Sequence, residues 1–327
     1  MHTAAVHLAA AIESAEPRRA WRGAALFVLV GAVVYAALYG WSEWLVYGYG
    51  QKNRFFAVAT AAPTAYDVVV LGASHAMPLD FADMNAALEA ASGKKIANLS
   101  IEGGGVLPAR LLYDYFATRH SAKTVLYVVD SFAFYAAQWN EQRLADAALL
   151  QRAPFDAALV GVLWRHDWAR PLLPEYVSGF DKINNRNRFQ PDVSDAELNL
   201  FARIYRPIAQ IDRTRIRYLY PGEPDAATFA RYLDAFRDLV RRARARGSAF
   251  VAIKPPLPPR VLNLIPREAE FDAALKAMLD AEGASLHDFA KVNNRDAFYY
   301  NTDHLNRDGV AAFIKDHLGP LLLGAAK

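Results

Sequence analysis

Residues 66–75 read Tyr66-Asp67-Val68-Val69-Val70-Leu71-Gly72-Ala73-Ser74-His75. A short, unbroken β-branched and aliphatic run of this kind fits a strand buried on both faces, and such strands belong to parallel sheets covered by helices. Gly72 closes the run with the residue type that turns tightly at no steric cost. Ser74 is therefore expected just beyond a strand end, where open α/β sheets gather their reactive groups.

Two further runs repeat the pattern, at residues 95–99 and 124–129, each separated from the one before by helix-compatible sequence of crossover length. Later, Pro224-Asp225 opens a helix in which Phe229, Leu233, Phe236 and Val240 recur at helical spacing, and Gly247 stops it. A fourth strand at 250–253 ends at Lys254-Pro255-Pro256, which cannot continue a central ladder; a helix from 268 to 282 then leads to a fifth strand at 285–288. The alternation predicts an α/β domain over residues 66–320 with a doubly wound, mostly parallel five-stranded sheet. Between 131 and 222 the pattern breaks into an aromatic- and arginine-rich stretch, expected to be a helical insertion forming a cap or partner surface.

Ahead of the domain, residues 23–41 carry no charge, and at 1.5 Å per residue this apolar run nearly crosses a bilayer core. Arg18, Arg19 and Arg22 precede it, and Trp41, Trp44, Tyr47 and Tyr49 cluster at its far side. The positive flank predicts an uncleaved single-pass anchor in a bacterial inner membrane, with residues 1–22 cytoplasmic, 42–65 a connector and the domain periplasmic. The chain has no cysteine, which excludes disulfides, thiolate metal sites and a cysteine nucleophile. Its net charge of +3 is spread along the sequence, which argues against a nucleic-acid surface.

The second run leads into Ser100-Ile101-Glu102-Gly103-Gly104-Gly105, whose glycines let backbone N–H groups converge on an oxyanion, ahead of a helix expected near Leu107-Pro108. Near the C-terminus, Asn301-Thr302-Asp303-His304-Leu305-Asn306 precedes an amphipathic helix through Val310, Phe313, Ile314 and Leu318, which would fix His304 near the sheet's edge. His75, next to Ser74 in the chain, is expected to point away from it as a pocket or structural residue. Asp130 reads either as an acid near Ser74 or as a cap for the following helix. Asp80, His166 and His287 read as surface or loop groups. No pair of histidines or carboxylates has convincing metal-ligand spacing, and no cofactor is called for.

The serine turn after the first strand, the glycine block after the second, and His304 followed by Leu305-Asn306 and Gly309 resemble the SGNH (GDSL-like) hydrolase superfamily over most of residues 66–318. With its anchor, the chain looks like the SGNH-like proteins of cell-envelope acylation, such as the D-alanyl transfer proteins of teichoic acid synthesis. The resemblance implies Ser74 as nucleophile, His304 as general base, and oxyanion donors from the Ser74 amide and the Gly103-Gly104 turn. Two positions depart from the family. Where it places an aspartate three residues before the histidine, this chain has Asn301, with Asp303 directly before His304. Spacing makes Asn301 the better orienter, but an amide cannot stabilise an imidazolium. The third-strand block reads Val129-Asp130-Ser131-Phe132 and lacks the family's glycine and asparagine, so that donor is either missing or replaced by Ser131.

The expected function is that of a serine acyltransferase or esterase acting on O-acyl groups, such as acetyl, of an envelope or secreted polysaccharide, beside a membrane-bound O-acyltransferase. Two rivals stand with it. One is a weak or inactive scaffold that binds polysaccharide or that partner; the other is an exported lipase or thioesterase.

Overall fold

The computed structural model describes residues 2–189, 200–223 and 225–324, with side chains from residue 20 onward. Among the described residues, five strands form a single all-parallel sheet: β1 (Ala65–Gly72), β2 (Ile96–Asn98), β3 (Ser121–Val128), β4 (Ala249–Lys254) and β5 (Ser285–Asp288), in the spatial order β2-β1-β3-β4-β5. Each lies where the β-branched runs place it. β1 and β3 begin earlier because their first residues, Ala65 and Ser121, pair with each other outside the core, where hydrophobic patterning gives no mark. β1 is interior, with Val68 opposite Ile96 on one side and Thr124 on the other. The chain runs from β1 to β2, then returns across β1 to β3, so the crevice between the carboxyl ends of β1 and β3 is a point of topological reversal.

Alternation along the strands feeds two cores. Val69, Leu71, Val125, Tyr127, Phe250 and Ala252 face one side; Val68, Val70, Leu126, Val128, Val251 and Ile253 face the other. The helices beyond the N-terminal one include α2 (Arg54–Thr60), α3 (Met84–Ser92), α4 (Val106–Phe116), α5 (Ala157–Arg165), α6 (Leu173–Ser178), α7 (Phe180–Ile183), α8 (Ala209–Leu219), α9 (Ala226–Ala245), α10 (Glu268–Ala281) and α11 (Arg307–Phe313). α4, α9 and α10 cover the first face, while α3 and α11 cover the second. Asp225 caps α9 by accepting from the Thr228 N–H at 2.7 Å, and Gly247 follows it with φ +80°. Pro224 lies outside the described residues, as do residues 190–199 of the stretch between β3 and β4.

The N-terminal helix α1 (His2–Tyr49) is long and apolar enough to cross a membrane over Ala20–Tyr49. It also corrects the expected connector at 42–65. Ser42, Leu45 and Val46, at i, i+3 and i+4, are buried against the domain, and α2 follows at once, capped by the Asn53 side chain. The apolar helix thus continues into the fold, because a buried stripe carries it past Glu43.

Candidate active site

Ser74 opens a 3₁₀ turn, Ser74–Asp80, directly after β1. Gly72 makes that exit possible. Its φ is +142°, and a Cβ there would lie 2.7 Å from the Val128 carbonyl oxygen on β3, so a larger residue would push the strand ends apart. As first residue of the turn, Ser74 keeps an N–H that the turn itself cannot satisfy.

His304 arrives from the opposite end of the chain on a loop tied down at several points. Asn306 caps α11 through the Gly309 N–H at 2.9 Å and donates to the Arg203 and Ala297 carbonyls at 3.0 and 2.7 Å. The buried side chains of Val310, Phe313, Ile314 and Leu318 hold the following helical stretch on the sheet. Each such side chain contributes about 1.5–3 kcal/mol of hydrophobic stabilisation. The loop so fixed places His304 Nε2 2.9 Å from Ser74 Oγ, a hydrogen-bond distance, across 230 residues of sequence.

Two oxygens meet the other ring nitrogen. Asn301 Oδ1 accepts from the backbone N–H groups of Asp303 and His304 at 3.1 and 2.8 Å, and lies 3.1 Å from His304 Nδ1 along the N–H direction. Asp303 Oδ1 is also 3.1 Å from Nδ1 but off that direction, and it has no other hydrogen-bond partner. A hydrogen bond depends on angle and a Coulomb attraction does not. Asn301 therefore fixes the ring's tautomer and orientation, while Asp303 supplies the negative charge that the amide lacks. The turn around Asn301 is what brings a residue adjacent to His304 onto the same side of its ring.

Asp303 is itself embedded. Arg215 of α8 donates to its Oδ2 at 2.8 Å. His75 Nε2 faces the same oxygen at 3.6 Å, within ion-pair range. His75 Nδ1 lies 2.6 Å from Asp130 Oδ1 at the end of β3, and the His75 ring stacks on His304 with centroids 4.6 Å apart. Burial opposes charge on His75, yet Asp130 and Asp303 outweigh it and push its pKa up to about 10. For His304, burial lowers the pKa below its ordinary value; Asp303 pulls upward, and the cations at His75 and Arg215 add to the lowering. Burial also works against ionisation of Asp303, but His304, His75 and Arg215 hold its carboxyl well below the usual range. The result is a neutral imidazole, ready to accept a proton, on a serine hydroxyl.

Several expectations change at this point. Gly103 lines the cavity with Ser74, has φ +60°, and makes no hydrogen bond from its N–H among the described residues. The Gly104 N–H, expected as a second oxyanion donor, instead bonds the Ile101 carbonyl at 2.9 Å and closes the turn. Ser131 is not a donor to this site. Its buried hydroxyl is engaged by Tyr220 at 2.6 Å and by Glu268 at 2.5 Å, and it borders a separate small cavity behind His75. Asp130 makes no cap hydrogen bond and serves His75 instead. His75 stacks on His304. His166 is buried and paired with Asp114 at 2.8 Å, not a surface group. Arg215 carries no motif and was not legible; the one available signal was its place in an arginine-rich stretch.

His75, Asp303 and His304 offer ligand atoms within 4.8 Å of one another. They fit a metal poorly, because a protonated His75 has no lone pair to give and Asp303 Oδ2 is already held by the Arg215 guanidinium, whose positive charge would repel a cation. The site opens into a cavity of about 540 Å³ bordered by polar side chains such as Gln138, Gln142, Arg143 and Asp146, together with Trp139 and Tyr218.

Replacing His75 with glutamine removes a cation stacked on His304, so the acid limb of the pH dependence of kcat/KM for ester hydrolysis should move to higher pH. Asp303, Asp130 and Arg215 remain in place, as do Lys254 and Glu268 in the cavity behind, and a purely structural loss would lower the rate without moving the limb. The same charge has a stability consequence. The folded protein holds a proton on His75 that the unfolded chain releases above its ordinary 6.5, so this contribution is complete below that pH and is lost as pH rises through about 10.

No family model matches the chain, and no curated protein matches it.

Proposed function

We propose that the chain is a membrane-anchored serine esterase or O-acyltransferase of the SGNH type, with a doubly wound domain and residues 131–222 inserted over it. It acts from the extracytoplasmic face of the inner membrane on O-acyl groups, acetyl above all, of an envelope or secreted polysaccharide, beside a membrane-bound O-acyltransferase. The observation that carries this reading is the 2.9 Å contact between Ser74 Oγ and His304 Nε2 in an open cavity past the strand ends.

In this mechanism His304 Nε2 takes the proton of Ser74 as Oγ attacks the acyl carbonyl carbon. The N–H groups of Ser74 and Gly103 receive the developing oxyanion, and Asp303 stabilises the imidazolium. Collapse breaks the ester bond and His304 protonates the departing sugar hydroxyl. Water or a second hydroxyl, deprotonated by His304, then attacks the acyl-serine, so the products are a free acid or a new ester. The charged and amide side chains bordering the cavity, with Trp139 and Tyr218 among them, suit a glycan better than the hydrocarbon tail of a lipase substrate.

The test offers the detergent-solubilised full chain an O-acetylated polysaccharide and, separately, a long-chain acyl ester. Acetate release or transfer from the polysaccharide, well above turnover of the long-chain ester, is the expected result. Preference for the long chain would move the assignment to a lipase or thioesterase, and polysaccharide binding without turnover would make the domain a scaffold.

A further inference from the structure

The segment from α6 to residue 189 is fastened to the anchor at a depth that lies inside a bilayer. Tyr35 Oη donates to the Ser178 carbonyl at 3.0 Å. Tyr39 packs so closely on Gly179 that a Cβ there would overlap its ring. Trp41 meets Phe189 with ring centroids 5.7 Å apart, Arg188 lies over the Trp41 ring at 5.6 Å, and Lys182 pairs with Glu43.

A ruler follows from helix geometry. A bilayer core about 30 Å thick takes ~20 residues at 1.5 Å each, which carries the span from Arg22 to the neighbourhood of Trp41 and Ser42. Tyr35 is six residues short of Trp41, about 9 Å inside that boundary. Whatever is bonded to Tyr35 and Tyr39 must lie at or below the interface on the domain's side.

Three exposed side chains of this segment match that placement, while Asn184 and Asn187, also exposed, lie past Lys182, whose partner Glu43 follows the boundary. Val177, Phe180 and Phe189 are 44, 54 and 57 % exposed, although each is a large apolar group. Arg186 is exposed two residues before Arg188, which lies over the Trp41 ring, so it suits a headgroup phosphate. Continuity with the anchor identifies the occupant of this apolar face as lipid.

We infer that residues 177–189 form a wedge that enters the near leaflet beside the anchor, with Val177, Phe180 and Phe189 among the acyl chains and Arg186 at the headgroups. The wedge and anchor together fix the height and tilt of the domain, so that the mouth of the Ser74 cavity is held at a set distance from the membrane. This inference rests on reading α1 as a membrane span.

Because the chain has no cysteine, single cysteines can be placed without background. Spin labels at Phe180→Cys, Phe189→Cys, Leu29→Cys in α1 and Asp234→Cys, an exposed position on α9, would be compared in full-length protein in phosphatidylglycerol and phosphatidylcholine nanodiscs. The expected result is that positions 29, 180 and 189 collide more with oxygen than with a water-soluble nickel complex, and that 234 shows the reverse. Protection at 29 with water exposure at 180 and 189 would overturn the wedge while leaving the anchor intact. Water exposure at 29 as well would overturn the anchor and the wedge with it.

Discussion

Ser74→Ala lowers ester turnover by the full-length protein by a factor on the order of 10⁴–10⁶, the range seen when a serine nucleophile that works with a histidine is removed. The expectation follows from the hydroxyl's isolation. Ser74 Oγ is the oxygen 2.9 Å from His304 Nε2, and Ser131, the other serine read as part of the site, is committed to Tyr220 and Glu268. His304→Ala should cost about as much, and the double variant no more than either single one, since nucleophile and base act as a unit. Steady-state rates on a small acetyl ester check this. A Ser74→Ala protein that keeps most of its turnover would remove Ser74 from the mechanism.

The second large effect separates Asp303 from Asn301. At about 4 Å and an effective dielectric of 20, an ion pair is worth about 4 kcal/mol, or a factor on the order of 10³ in rate when the imidazolium forms only in the transition state. Asp303→Asn removes that charge while Asn301 still holds the ring, so kcat should fall by that order with KM little changed. Asn301→Ala removes a neutral hydrogen bond worth about 1 kcal/mol and should cost roughly fivefold in kcat. Measured side by side, the two variants rank the residues. A larger loss in Asn301→Ala would make the amide, not the carboxylate, the group that matters to His304.

Much of the scaffold was written openly in the sequence. Buried parallel strands must be apolar on both faces, so residues such as Val68 to Leu71 stand out from their surroundings, and the sheet follows from their spacing. Ser74 and His304 were legible for a related reason, since a glycine turn and a capped terminal loop leave local marks. The charges around them leave none. Arg215 reaches Asp303 across 88 residues and Asp130 reaches His75 across 55, and such pairings depend on packing that no local pattern records. Ser131 was misread for the same reason. Its hydroxyl lies at the expected strand end, but Glu268, 137 residues away, occupies it. The helix runs on through the expected connector because the stripe of Ser42, Leu45 and Val46 carries it onto the domain, whereas the charge at Glu43 marks only the end of the apolar run.

The central claim is that His304 activates Ser74 as a nucleophile. The direct measurement is covalent labelling of the full-length protein in detergent with a fluorophosphonate, followed by peptide mass spectrometry. The account predicts a single adduct on Ser74, formed faster as pH rises through the lowered His304 pKa and nearly absent in His304→Ala. Absence of an adduct on Ser74 in the folded wild type, or equal labelling rates with and without His304, would contradict it.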